Sequence, residues 1–219
     1  MDGLIDIDSA RALVSDAALW PRVRDFLWNF APQVHPSWLE NHPTIKLSNH
    51  QTILNSPRIS RWLLAQLHVE PCFHPFPSDD LSRLLLLDSS TLVSIAHWLG
   101  ALASADALRR VTRGTDVAAL KTALPGVYPA VFSYAPYFAK SALPPATDPT
   151  PSAILANGFS LLHSALSHLP SPLLHRLSLK LPKDTLPDLP SSTIKPSNHQ
   201  TIKLLLKLRF PEAFSLCFS

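Results

Sequence analysis

Residues 80–104 read DLSRLLLLDSSTLVSIAHWLGALAS, and the way this stretch folds decides the class of the whole chain. After Leu84 it is apolar nearly all round, as expected of central helices packed on several sides. Ser78, Asp79 and Asp80 precede it and are expected to start the helix, the acids complementing its positive end.

The flanking segments extend the same reading. Residues 8–28 read as two short helices, with Pro21 where a helix can begin. FAPQVHPSWLENHPTIK, residues 30–46, holds three prolines and is expected to be irregular but pinned by its aromatic residues. Ser56 and Pro57 are a cap and a first helical residue, opening SPRISRWLLAQLH with Ile59, Trp62, Leu63 and Leu67 on one apolar face. A loop, PCFHPFP, spans residues 71–77. Downstream, Ser104 and Asp106 open a helix expected to end near Arg113, with Gly114 as its stop. Thr115 and Asp116 start another that runs through Leu124 and ends at Pro125-Gly126. SALPPATDPTP, residues 141–151, is the best linker candidate. SAILANGFSLLHSALSHL follows with a broad stripe of Ile154, Leu155, Leu161, Leu162, Leu166 and Leu169, and Pro170 and Pro172 restart the helix as LLHRLSLKLP. With helical segments throughout, the expected fold is all-α. It is a single compact domain over residues 1–219, made of many short to medium helices broken by prolines, with residues 141–151 as its possible point of subdivision.

One decapeptide occurs almost twice: TIKLSNHQTI at residues 44–53 and TIKPSNHQTI at residues 193–202 match at nine of ten positions. Each contains Ser-Asn-His-Gln, a capping box in which Ser and Gln satisfy opening backbone N–H groups, at about 1 kcal/mol for such a cap. The surroundings of the two copies do not align and there is no third, so the chain is not a solenoid. His50 and His199 alone make a poor metal site. One helix-start device used twice is the reading favoured here.

Composition agrees with helices. Of 219 residues, 46% are hydrophobic and 16% charged, which excludes a disordered chain. Leucine dominates, Gly appears 5 times, and the 22 prolines must sit at helix starts and connections. Two cysteines, Cys72 and Cys217, make no disulfide framework, and the acidic start MDGLIDIDSARALVSD lacks the pattern of a signal peptide. No apolar run is long enough to span a membrane, so a reducing, cytoplasmic setting is expected. Residues 1–108 carry 7 basic and 11 acidic side chains, net −4, whereas residues 109–219 carry 12 and 5, net +7. Such asymmetry could steer an acidic partner to the C-terminal half, or be an ordinary solvated surface. Nucleic acid is a weaker idea, because the basic residues are scattered.

Catalytic motifs are missing: there is no Gly-x-Ser-x-Gly, Gly-rich phosphate loop, His-Glu-x-x-His or Cys-x-x-Cys. The densest metal-like cluster is His68, Cys72 and His74 in HVEPCFH, whose spacing is no recognised zinc pattern. It carries the alternative reading, a small helical metal- or ligand-binding protein. Arg109, Arg110 and Arg113 form the strongest cationic group and could dock an acidic partner, or simply complement a helix C-terminus. Trp62 and Trp98 are expected in the core, and Trp38 is a core plug tying down the Pro-bounded segment or an interface anchor.

WNFAPQVHPSWLE (28–40), ADALRRVTRG (105–114), HRLSLKLP (175–182) and KLLLKLRFPEAFSLCF (203–218) occur in an order that resembles the SctK family. This is the YscK/PscK-type accessory protein of type III secretion systems. The resemblance implies a helical, non-enzymatic protein without cofactor, in the cytoplasmic sorting platform at the inner membrane of a Gram-negative bacterium. It implies as partners the cytoplasmic domain of the ring protein SctD and the pod protein SctQ, and through the latter SctL and the ATPase SctN. It implies no membrane insertion and no nucleic acid. It hands over no binding residues, so Arg109, Arg110, Arg113 and Trp38 stand as candidates on charge and exposure.

Overall fold

A computed structural model describes residues 19–40, 56–70, 76–77, 79–138, 143–183 and 197–218. The fold is all-α. The described residues form α1 (Leu19–Trp28), α2 (Pro57–Gln66), α3 (Ser89–Ala103), α4 (Ala105–Arg109) and α5 (Gly114–Ala123). They continue as α6 (Val131–Phe138), α7 (Pro151–Leu166), α8 (Ser171–Lys180), α9 (Ser197–Arg209) and α10 (Pro211–Phe218). Three 3-10 segments, Ala31–Gln33, Pro36–Trp38 and Ser82–Leu86, complete them. Proline sets three of the starts among the described helices: α2, α7 and α10 begin on Pro57, Pro151 and Pro211, where a missing N–H costs nothing.

The described residues divide into two compact units, each assembled from segments far apart in sequence. The first takes those within Met1–Ser89, His168–Lys183 and Ser215–Ser219, the second those within Ser90–Ser167 and Asp184–Phe214. Residues 143–150 carry no helix, and the chain on both sides of them belongs to the second unit.

In the first unit, α1 turns Val23 and Phe26 inward, and Phe26 meets the rings of Phe30 and Phe76 edge-on at 5.5 and 6.1 Å. α2 buries Ser60, Leu63 and Leu64, while Trp62 stays 40% exposed. This corrects the expected apolar face. Ser60 turns inward because its Oγ accepts from the Ala31 N–H at 3.0 Å and donates to Asn29 Oδ1 at 3.3 Å. A buried hydroxyl with two partners thus sets the rotation of the helix, and hydrophobic periodicity does not register it. The decisive stretch splits into two pieces. Asp79 accepts the Ser82 N–H at 2.9 Å and opens the 3-10 segment, Leu87 is extended, and α3 starts afresh at Ser89.

In the second unit, α3 buries eight residues, including Leu92, Ile95, Trp98 and Leu99, and crosses α7 with the two backbones touching. A Cβ at Gly100 would stand 1.8 Å from the Ile154 carbonyl oxygen, and one at Gly158 would stand 1.8 Å from that of Ala96. Only glycine permits such an approach. α9 packs on α7 and α4 on α6, and the Ala146 N–H holds residues 143–150 to the Ala103 carbonyl at 3.0 Å. α4 ends at Arg109, earlier than expected, because Arg110 and Val111 donate to Ala107 and Leu108 and tighten its last turn. Gly114 consequently opens α5 instead of closing α4. α9 begins at the second copy of the decapeptide, as expected, and the first copy lies outside the described residues.

Candidate functional site

The strongest local architecture in the first unit joins segments that are some 143 residues apart. Prolines at 32 and 36 keep the chain after α1 from continuing as helix, so residues 29–39 expose backbone groups that need outside partners. The end of α8 supplies them. The His35 N–H donates to the Leu179 carbonyl at 2.8 Å, and the Trp38 indole N–H donates to that of Leu181 at the same distance. The Lys183 N–H returns a bond to Ser37 Oγ at 3.0 Å, and its Nζ lies 5.8 Å from the Trp38 ring centre. Trp38 is half-buried and acts as the expected plug, fixed by its polar tip.

Beneath this strap lies Lys180, the last residue of α8, 2% exposed. Its Nζ donates to the carbonyls of Leu85, at 2.8 Å, and Leu87, and sits 5.6 Å from the centre of Phe26. Those carbonyls lie at the C-terminal end of the 3-10 segment, where helices leave backbone acceptors without intrahelical donors. Burial pushes the ammonium down to about 7, with Asp88 opposing the shift and Arg22 adding to it. Lys180 also lines an open cleft of about 400 Å³, together with Arg22, Asp25, His35 and Asp88. Asp25 is paired with Arg24 at 3.0 Å, and His35 Nδ1 is taken by Ser37. Sequence reasoning missed this site: a lysine in the last turn of a helix reads as a dipole complement, and only packing shows that it is buried.

The three candidate arginines lie in the second unit, all exposed. Arg109 bonds Asp106 at 2.7 Å, reaches over Phe132 at 5.9 Å, and lines a 260 Å³ cavity with Phe138 and Pro136. Arg110 closes α4, which suits the negative end of the helix, whereas Arg113 caps the positive end of α5. The dipole explanation therefore covers Arg109 and Arg110 and fails for Arg113. Elsewhere in this unit Arg209 stacks between Trp98, at 4.6 Å, and Tyr134, at 5.2 Å, and donates to the Tyr134 hydroxyl at 3.1 Å.

Of the histidine loop, His68 is exposed in a left-handed conformation with φ 54°, and Cys72 and His74 lie outside the described residues. Among the described residues no three His, Cys, Asp or Glu side chains come together to hold a metal. Nor is any described helix long and apolar enough to cross a membrane.

Packing holds the described helices together, and polar groups such as the Trp38 indole strap one segment to another. The family model of YOP proteins translocation protein K (YscK) matches residues 24–210, and the chain belongs to that family of type III secretion proteins. No curated protein and no solved structure matches it. The matched span contains both the strapped segment and the end of α8 that holds it.

Proposed function

We propose that the chain is a non-enzymatic, cytoplasmic adaptor of the injectisome sorting platform, needed for protein secretion. It works at the cytoplasmic face of the inner membrane of a Gram-negative bacterium and links the SctD cytoplasmic domain to SctQ, and so to SctL and the SctN ATPase. The observation that supports this reading is the family match over residues 24–210. The exposed Arg109, Arg110 and Arg113 fit a contact with an acidic partner surface, since guanidinium groups pair well with carboxylates.

Co-purification with the cognate SctD cytoplasmic domain and SctQ, with mass by light scattering, tests it. A defined complex weakened by Arg109→Glu, Arg110→Glu and Arg113→Glu together supports the adaptor and locates one interface. A complex indifferent to them keeps the adaptor and discards this site. Absence of binding to both partners by folded protein sinks the reading.

A further inference from the structure

The cleft above Lys180 has a donor excess that the described residues do not satisfy. A lysine ammonium carries three N–H donors, and Lys180 has two acceptors, the carbonyls of Leu85 and Leu87. A neutral amine would be fully served by them, and the charged form lacks a third acceptor among the described residues. On the rim, the Arg22 guanidinium is exposed and has no hydrogen-bond or ion-pair partner among the described residues. The other charged groups there are committed or opposed: Asp25 to Arg24, His35 to Ser37, and Asp88 facing the ammonium as its favourable charge. We propose that the cleft receives an Asp or Glu side chain presented by a partner protein, its carboxylate bridging Arg22 on the rim and Lys180 on the floor. The inference rests on the adaptor reading, which supplies a protein as the occupant. Charge complementarity supports it: a carboxylate brings the acceptor that the ammonium lacks and a fork-matching anion for the guanidinium. An opening of about 400 Å³ suits an inserted side chain and excludes a whole helix.

Binding then charges Lys180, so this chain takes up a proton at Lys180 as the partner's carboxylate docks. With the free ammonium titrating near 7, the competent fraction falls about eightfold between pH 6.5 and pH 8, and the apparent affinity falls with it. Arg22, Asp25, His35 and Asp88 are the other charged or titratable groups lining the cleft.

The test is calorimetric titration of the full chain with the SctD cytoplasmic domain and, separately, with SctQ, at both pH values. For one partner, Arg22→Gln and Lys180→Met are each expected to weaken binding at least tenfold. Lys180→Met is expected to abolish the pH dependence and His35→Asn to leave it. Should Lys180→Met fail to fold by circular dichroism, Arg22→Gln on the exposed rim still decides. Unchanged affinity in Arg22→Gln overturns the inference and leaves the adaptor standing. No binding of either partner to wild type overturns the adaptor and the inference together. A melting shift with millimolar glutarate, lost in Arg22→Gln while partner affinity is unaffected, assigns the cleft to a free acid and overturns the protein occupant.

Discussion

Replacing Gly100 with Ala tests the α3–α7 crossing. In a free helix the change would help by about 1 kcal/mol, because glycine is the poorer helix former. Here the new Cβ would lie 1.8 Å from the Ile154 oxygen and 2.8 Å from its carbonyl carbon, with the Gly158 nitrogen at 3.1 Å. All three are backbone atoms of α7, so no side chain can swing aside. A tolerable carbon–oxygen contact needs about 3.3 Å, so the helices must part by roughly 1.5 Å. A gap of half that size already forfeits a quarter to a half of the dispersion energy between facing atoms. The loss falls on side chains that α3 and α7 bury, Ile95, Leu99, Ile154, Leu161 and Leu162 among them. We expect a net destabilisation of about 3–5 kcal/mol, beyond the usual range for overpacking because the obstacle is main chain. Urea unfolding followed by circular dichroism measures it. Gly114→Ala, where a Cβ meets nothing within 4 Å, is the control and is expected to be neutral or slightly stabilising. A Gly100→Ala protein within about 1 kcal/mol of wild type would refute the close crossing.

The lowered Lys180 titration makes stability depend on pH. Unfolded, the lysine holds its proton up to about 10.4; folded, it releases it near 7, so the unfolded state binds more protons in between and stability rises with pH. The slope is expected at about 1 kcal/mol per pH unit from pH 7 to 8.5 and to flatten in Lys180→Met; equal slopes in both proteins would refute it. Above pH 9 Cys217 opposes this, because burial pushes its folded thiol up to about 12, so it keeps a proton that the unfolded chain has lost. Trp38→Phe removes the bond to Leu181 and is expected to cost about 1–2 kcal/mol, with faster hydrogen exchange at the His35 and Lys183 amides; unchanged exchange there would show that the strap does not depend on the indole. Glu in place of Arg109, Arg110 and Arg113 is expected to shift the melting temperature little, since the Arg109–Asp106 pair is exposed and such pairs contribute about 0–1 kcal/mol; a large loss would make the cluster structural.

Helix starts were the most legible part of the fold. Ser56-Pro57, Pro151, Pro170-Ser171-Pro172 and the Ser197 copy all mark starts that the structure uses, because proline acts within one turn; Ser56 holds the N-cap position of α2 without a side-chain cap bond. Helix faces and ends were less so. α2 turns Ser60 in and leaves Trp62 out to satisfy Ala31 and Asn29, residues that lie outside any local window. Trp98 is buried as expected, whereas Trp28 is 50% exposed and meets Trp20 edge-on at 5.9 Å. Of the candidate site, the arginines are exposed where charge suggested, and Trp38 is the plug that its proline-bounded position suggested. The cleft was illegible because its parts come from α1, the 3-10 segments and the end of α8, and no linear pattern links them.

By itself, the amino-acid sequence determined that the chain is helical, where most helices begin, and to which secretion family it belongs. These follow from propensity, caps, prolines and ordered motifs, all of which act over a few residues. Tertiary structure alone decided that Gly100 and Gly158 let two helices touch, that the end of α8 holds the segment around Trp38, and that Lys180 lies buried beneath it. Each depends on atoms distant in sequence: a steric limit at a crossing, a backbone group short of a partner, and a charge whose cost is set by what surrounds it.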